Sequence, residues 1–230
     1  MLARDLLGIR RDVTLMVGFG FFEESKNHYR LIEAVSELMK AEPDVHLWLG
    51  GFVRSPVPKT LRYLEDCKAL VHRLGMDGQV TWEDEHLSEE RLRTVLAAAD
   101  VVCFIYAEDT RASSGALHRA IGTGKAVVAS RIPKFDEVRA ISDELLVNPA
   151  SASEIARLLN RLIADEPFRA SIRRRVSEFA RSTSWQEVGA RHLQLYDAVD
   201  SAARRRQFRT RPRKPSITDA SSRVPNCNAP

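Results

Sequence analysis

The sequence predicts an α/β domain built on a doubly wound parallel sheet. Three observations carry this. Short apolar runs recur at 13–20, 45–51, 79–83, 101–106, 126–130 and 144–147. Between most of them lie segments with helical, i/i+3/i+4 apolar spacing. The runs themselves are nearly continuous in apolar residues rather than alternating, as strands buried on both faces are. Strands that alternate with helices pair in parallel, because right-handed crossovers return the chain to the same edge of the sheet.

Each element has a local reason. Residues 13–20 (VTLMVGFG) read as a strand ending in glycines. Residues 25–41 place Leu31, Ile32, Ala34, Val35, Leu38 and Met39 on one helical face, with Ser25 as the expected N-cap and Pro43 beyond the end. Residues 45–51 (VHLWLGG) form the next strand, 59–74 a helix stopped by Gly75, and 79–83 a short strand. The helix over 88–99 opens on Ser88-Glu89-Glu90, a cap followed by acids that favour the positive end of the helix dipole. Residues 101–106 (VVCFIY) are an uninterrupted apolar strand, and 114–123 a helix broken by Gly122 and Gly124. Residues 126–130 and 144–147 complete the strands. From Ser151 the chain reads as three helices to Val199, capped by Ser151, Asp165 and Ser184, with Pro167 in the first turn of the middle one.

Charge and cysteine content exclude several classes. The chain has 230 residues and a formal charge of +4, but residues 201–230 hold eight basic residues and one acid. That leaves 27 basic and 30 acidic residues in 1–200, a net −3, so the domain carries no basic footprint for specific nucleic-acid binding. The expected division is a folded domain over 1–200 and a disordered basic tail over 201–230, where apolar residues are sparse and Pro212, Pro215 and Pro225 recur. Cys67, Cys103 and Cys227 are odd in number and too widely spaced for a disulfide framework or a zinc site. With no signal-peptide pattern at the start and no apolar run of membrane-spanning length, the expectation is a cytoplasmic protein. The tail's arginines could add peripheral contact with anionic lipid headgroups.

In a doubly wound sheet, ligands bind outside the carboxyl ends of the strands. Two loops there carry candidate chemistry. In the first, Gly18 and Gly20 let backbone approach a ligand, and Lys26 offers a point charge to a phosphate. The third glycine of a dinucleotide fingerprint is absent, since position 23 is Glu. In the second, Ser113-Ser114-Gly115-Ala116-Leu117 lead small residues into a helix start, where free N–H groups and the dipole favour anions. No nucleophile elbow, Ser/His/Asp order or metal motif appears.

Five stretches in order give a resemblance. Lys26-Asn27 followed by Leu31-Ile32-Glu33-Ala34, then 97–102 (AAADVV), then Ser113 to Ser130 (SSGALHRAIGTGKAVVAS), then 132–138 (IPKFDEV), and finally Thr183-Ser184-Trp185 with Leu195-Tyr196 resemble retaining glycosyltransferases of the group 1 (family 4) type. The resemblance spans roughly residues 2–199 and matches the C-terminal, Rossmann-like half of the glycosyltransferase B fold. It implies a nucleotide-diphosphate sugar as substrate, no metal or other cofactor, and a separate acceptor-binding half as partner. It implies that Lys26 meets the donor diphosphate and that backbone groups from Ser114 to Leu117 hold the distal phosphate and sugar. The loop from Glu83 through Asp84 to Leu87 would line the base pocket.

The sequence departs from that pattern in three places. Arg111 and Arg119 stand where the family often has two glutamates, and Gly20 stands where it has an arginine six before the lysine. Arg111 could replace the missing charge from the opposite loop. No catalytic residue is identifiable. The alternative reading is a non-catalytic, truncated binding or interaction module. A sugar-nucleotide epimerase of the same fold would need a carboxylate–histidine cluster that the sequence does not show.

Overall fold

The structure is a computed structural model and describes residues 2–107 and 113–210. Its centre is a six-stranded, fully parallel sheet in the order β3-β2-β1-β4-β5-β6. The strands are β1 (Thr14–Phe19), β2 (Val45–Gly50), β3 (Val80–Glu83), β4 (Val101–Phe104), β5 (Ala126–Ser130) and β6 (Leu146–Val147). The helices are α1 (Leu2–Leu7), α2 (His28–Met39), α3 (Pro58–Arg73), α4 (Glu89–Ala98), α5 (Gly115–Ile121), α6 (Ala152–Ala164), α7 (Glu166–Ser182) and α8 (Trp185–Thr210). Val17 lies opposite Trp48 on one side and Val102 on the other, and all three are buried. Central strands whose two faces are both covered must be apolar at every position, which is why the runs read as continuous.

The chain winds outward from β1 to β3, then reverses and winds from β4 to β6. The reversal leaves a crevice between the carboxyl ends of β1 and β4, the usual ligand position of such sheets.

The helix starts follow their caps. Ser88 Oγ accepts from the N–H of Arg91 (3.1 Å), Ser114 Oγ from that of Leu117 (3.2 Å), Ser151 Oγ from that of Glu154 (3.2 Å) and Asp165 Oδ1 from that of Phe168 (2.9 Å). Ser25 is the exception. A 3₁₀ turn over Glu24–Lys26 intervenes, and α2 starts after Asn27, whose φ of 53° is left-handed. Ser25 donates instead to Glu23 Oε1 (2.8 Å). Asn tolerates this backbone, and its Nδ2 is tied to Pro149 O (3.0 Å). Two further features escape a periodicity reading because they are short: α1, and the 3₁₀ turns over Pro133–Ala140 that bury Lys134, Phe135 and Val138.

The described residues up to Thr183 form one compact unit and those from Ser184 a second. The described part of the second is α8, capped by Ser184 Oγ, which accepts from the N–H of Glu187 (3.3 Å). The helix runs through Thr210, ten residues into the expected tail, and residues 211–230 lie outside the described residues. Among the described residues no helix is long and apolar enough to cross a membrane. Cys67 and Cys103 are buried, and burial pushes both thiols up to about 12. Cys227 lies outside the described residues.

Candidate functional site

A cleft of about 430 Å³ opens at the carboxyl ends of β1, β2 and β4, where the strand order reverses. Its floor depends on two glycines. Gly20 N–H donates to Gly50 O (3.0 Å), Gly51 N–H to Glu83 O (2.9 Å) and Phe22 N–H to Phe52 O (3.1 Å), so sheet-like pairing continues past the strand ends. At this crossing a Cβ on Gly51 would lie 1.6 Å from Gly20 O, and both residues have φ near +148°. Only glycine fits such an approach.

The loop after β1 and the loop after β4 are joined by Ala107 N–H donating to Ser25 O (3.0 Å). That bond brings Lys26 against Tyr106. The Lys26 ammonium sits 4.0 Å from the Tyr106 ring centroid and 3.9 Å from Glu23 Oε1, and the residue is only 8% exposed. A buried cation held by a ring face and a carboxylate is fixed in position and oriented. Facing it are Ser113, Ser114, Gly115 and Ala116 at the start of α5. The first turn of a helix leaves N–H groups without intrahelical acceptors, and Ser114 Oγ takes the one at Leu117. Buried Lys134 donates from Nζ to Ser113 O (2.8 Å) and lines the same cleft. Arg119 reaches across to Glu89 (2.7 Å), which is also on the wall. Phe21, Phe52 and His86 make an aromatic side, with Phe21–Phe52 and Phe52–His86 centroids 5.1 and 5.3 Å apart. Behind Lys26, His28 is wholly buried against Phe22. Burial first, and the Lys26 charge second, push its pKa down to about 3. Its Nδ1 has no hydrogen-bond partner among the described residues.

Most of the sequence candidates meet here. Gly20, Lys26, Leu87, Ser113, Ser114, Gly115, Ala116 and Arg119 all line the cleft. Gly18 lies inside β1, where a Cβ would press within 2.9 Å of Leu31, and Leu117 is fully buried; neither reaches the cleft. Glu83 and Asp84 line an adjoining groove along the loop after β3, which shares His86 and Leu87 with the cleft but not these two carboxylates. Glu83 accepts from Arg91 Nε (3.0 Å) and Trp48 Nε1 (3.1 Å), and the Arg91 hydrogen bond foremost holds its carboxyl below the usual range. Asp84 is paired with Lys68. Arg111 lies outside the described residues.

Sequence reasoning missed Lys134, Tyr106, Phe52 and Glu89 as lining residues. Lys134 had a legible signal: a lysine between Pro133 and Phe135, in a segment that otherwise reads as buried. Among the described residues no group of three or more His, Cys, Asp or Glu side chains is placed to hold a metal ion. What the cleft does offer is cations and helix-start N–H groups around one concavity, the donor set for a phosphate-bearing ligand.

The family model described as "Glycosyl transferases group 1" matches residues 11–165. The chain belongs to this family. It is 27% identical over 201 residues to a D-inositol 3-phosphate glycosyltransferase of a Nocardioides species, covering 84% of this chain and 43% of that protein. Among solved structures it resembles sucrose-phosphate synthase of Thermosynechococcus elongatus (22% identity, TM-score 0.69, 87% of this chain and 49% of that one). It also resembles Anabaena HepE in complex with UDP and glucose (21%, TM-score 0.70, 86% and 51%). The C-terminal domain of the Francisella tularensis group 1 glycosyl transferase LpcC matches over 79% of this chain and 91% of its own length (20%, TM-score 0.67). These structural likenesses establish the Rossmann-like fold of a glycosyltransferase B half. The chain spans about half the length of the full-length relatives it matches.

Proposed function

We propose that this chain supplies the donor-binding half of a retaining glycosyltransferase and takes a nucleotide-diphosphate sugar in the cleft at the sheet's switch point. The observation that carries this is the convergence of buried Lys26 and the start of α5 on one cavity, although 87 residues separate Lys26 from Ser113 in sequence. In this reading Lys26 and Lys134 face the diphosphate, and the N–H groups of Gly115 and Ala116 hold its distal end. They stabilise the charge that develops as the bond between the anomeric carbon and the phosphate oxygen breaks. The nucleoside diphosphate departs as an acceptor hydroxyl attacks from the same face, and no metal is required for that charge. The acceptor would come with a separate acceptor-binding half.

The Arg119–Glu89 pair deals with one departure from the family pattern. Arg119 occupies the position of a glutamate expected to receive a ribose hydroxyl, and the Glu89 carboxylate it holds lines the same cleft. Glu89 thereby returns an acceptor to that wall from a different helix. The Phe21–Phe52–His86 side offers ring faces to the base.

Calorimetric titration with UDP- and GDP-sugars tests the reading. Saturable binding of at least one, displaced by its free nucleoside diphosphate, is the expected result. No binding of any nucleotide sugar at millimolar concentration would overturn it.

A further inference from the structure

A second cavity, of about 540 Å³, lies at the other end of the sheet, against the amino-terminal starts of β1 and β4 at Thr14 and Val101. The six residues of β1 separate it from the donor cleft, about 16 Å at the rise of a parallel strand. Five cations and two carboxylates line it. Most of these charges are already neutralised by ion-pair partners in or beside the cavity. Arg4 is bound to Asp100 and to the carbonyls of Val13 (2.8 Å) and Arg11 (3.1 Å). Arg11 pairs with Asp5 (2.9 Å), Asp12 with Arg10, and Arg169 with Glu166.

Two cations are left over. Lys125 Nζ donates to a neutral acceptor, Ala97 O (2.9 Å), and has no carboxylate within 4 Å among the described residues. Among the carboxylates of the described residues Arg173 approaches only Asp100, at 4.0 Å, and that group is already engaged by Arg4 and by the N–H of Leu15 (2.8 Å). Lys125 is held below its ordinary pKa, first by burial and then by the charges of Arg173 and Arg4, against the opposing pull of Asp100. Like charges crowded at a partly desolvated wall repel, and a multivalent anion between them relieves that repulsion.

We propose that this cavity is an anion site distinct from the donor cleft, taking a multiply charged phosphate group between Lys125 and Arg173. The phosphate replaces the missing carboxylate partners and accepts charge-assisted hydrogen bonds from Lys125 Nζ and the Arg173 guanidinium, while Arg4 shapes the wall through its own carbonyl contacts. The site shares no residue with the cleft that holds Lys26.

Pyrophosphate is the probe. It is titrated at low ionic strength into the full chain, followed by phosphorus NMR and calorimetry, with Lys26→Ala, Arg173→Ala and Lys125→Gln variants alongside. The expected result is binding that persists in Lys26→Ala and weakens about tenfold or more in Lys125→Gln and in Arg173→Ala, the loss of one charged hydrogen bond each. Arg173 is half-exposed at the surface, so its variant reports on binding even if Lys125→Gln unfolds. Binding that disappears in Lys26→Ala and is unchanged in Arg173→Ala would place the anion in the donor cleft and overturn the proposal. So would no binding at millimolar pyrophosphate.

Discussion

The loops after β1 and after β3 leave the same end of the sheet, and both carry charged residues at positions expected to meet the ligand. They use those charges in opposite ways. Lys26, after β1, is turned against the Tyr106 ring and lines the cleft. Glu83, ending β3, lies off the cleft, and Arg91 and the Trp48 indole N–H occupy it. A charge becomes available to a ligand only where the fold leaves its head on the cleft. A charge that satisfies a buried donor serves stability.

That contrast can be broken from either side. The largest effect is expected at Gly51→Ala. Its Cβ would overlap the Gly20 carbonyl, and its backbone lies where L-residues are strained. Relieving this must move the loop after β1, so stability should fall by more than about 2 kcal/mol in urea denaturation and donor binding should fail with it. Glu83→Ala should cost about 1–3 kcal/mol of stability, because the Trp48 N–H is left unpaired, while nucleotide-sugar affinity barely changes.

His28 sharpens the comparison through pH. Its folded pKa, about 3, lies far below the ordinary 6.5, so the folded state keeps the ring neutral. Its contribution is fully present above about pH 6.5 and is lost progressively as pH falls toward about 3, where the unfolded chain binds a proton that the folded one refuses. Urea midpoints followed from pH 8 to pH 4 should decline in the parent chain and decline less in His28→Leu. The smallest effect is expected at Asp84→Asn. The Lys68–Asp84 pair is exposed on both sides, and its loss should change stability by less than about 0.5 kcal/mol and leave binding untouched.

The sheet was legible in the sequence because its strands are buried on both faces and therefore apolar without interruption, as in residues 101–106 and 126–130. Helix starts were legible where a single Ser or Asp side chain does the capping, as at Ser88, Ser114, Ser151 and Asp165. Ser25 misled because a 3₁₀ turn over Glu24–Lys26 puts Asn27, not Ser25, at the start of α2. In the site, the residues of two contiguous motifs, Gly20 to Lys26 and Ser113 to Ala116, could be read directly. Glu89 and Phe52 could not, and Lys134 could be read as buried but not as facing the cleft. Each lies on a different element, and only the register of the sheet brings them to one cavity.

The most direct test of the account is one titration of the nucleotide sugar that binds, repeated in the parent chain, Lys26→Ala and Glu83→Ala under identical salt. The account predicts that Lys26→Ala weakens binding about 10- to 100-fold, the loss of a charge-assisted contact, while Glu83→Ala stays within about threefold of the parent. Equal losses in both variants, or unchanged affinity in Lys26→Ala, would contradict it.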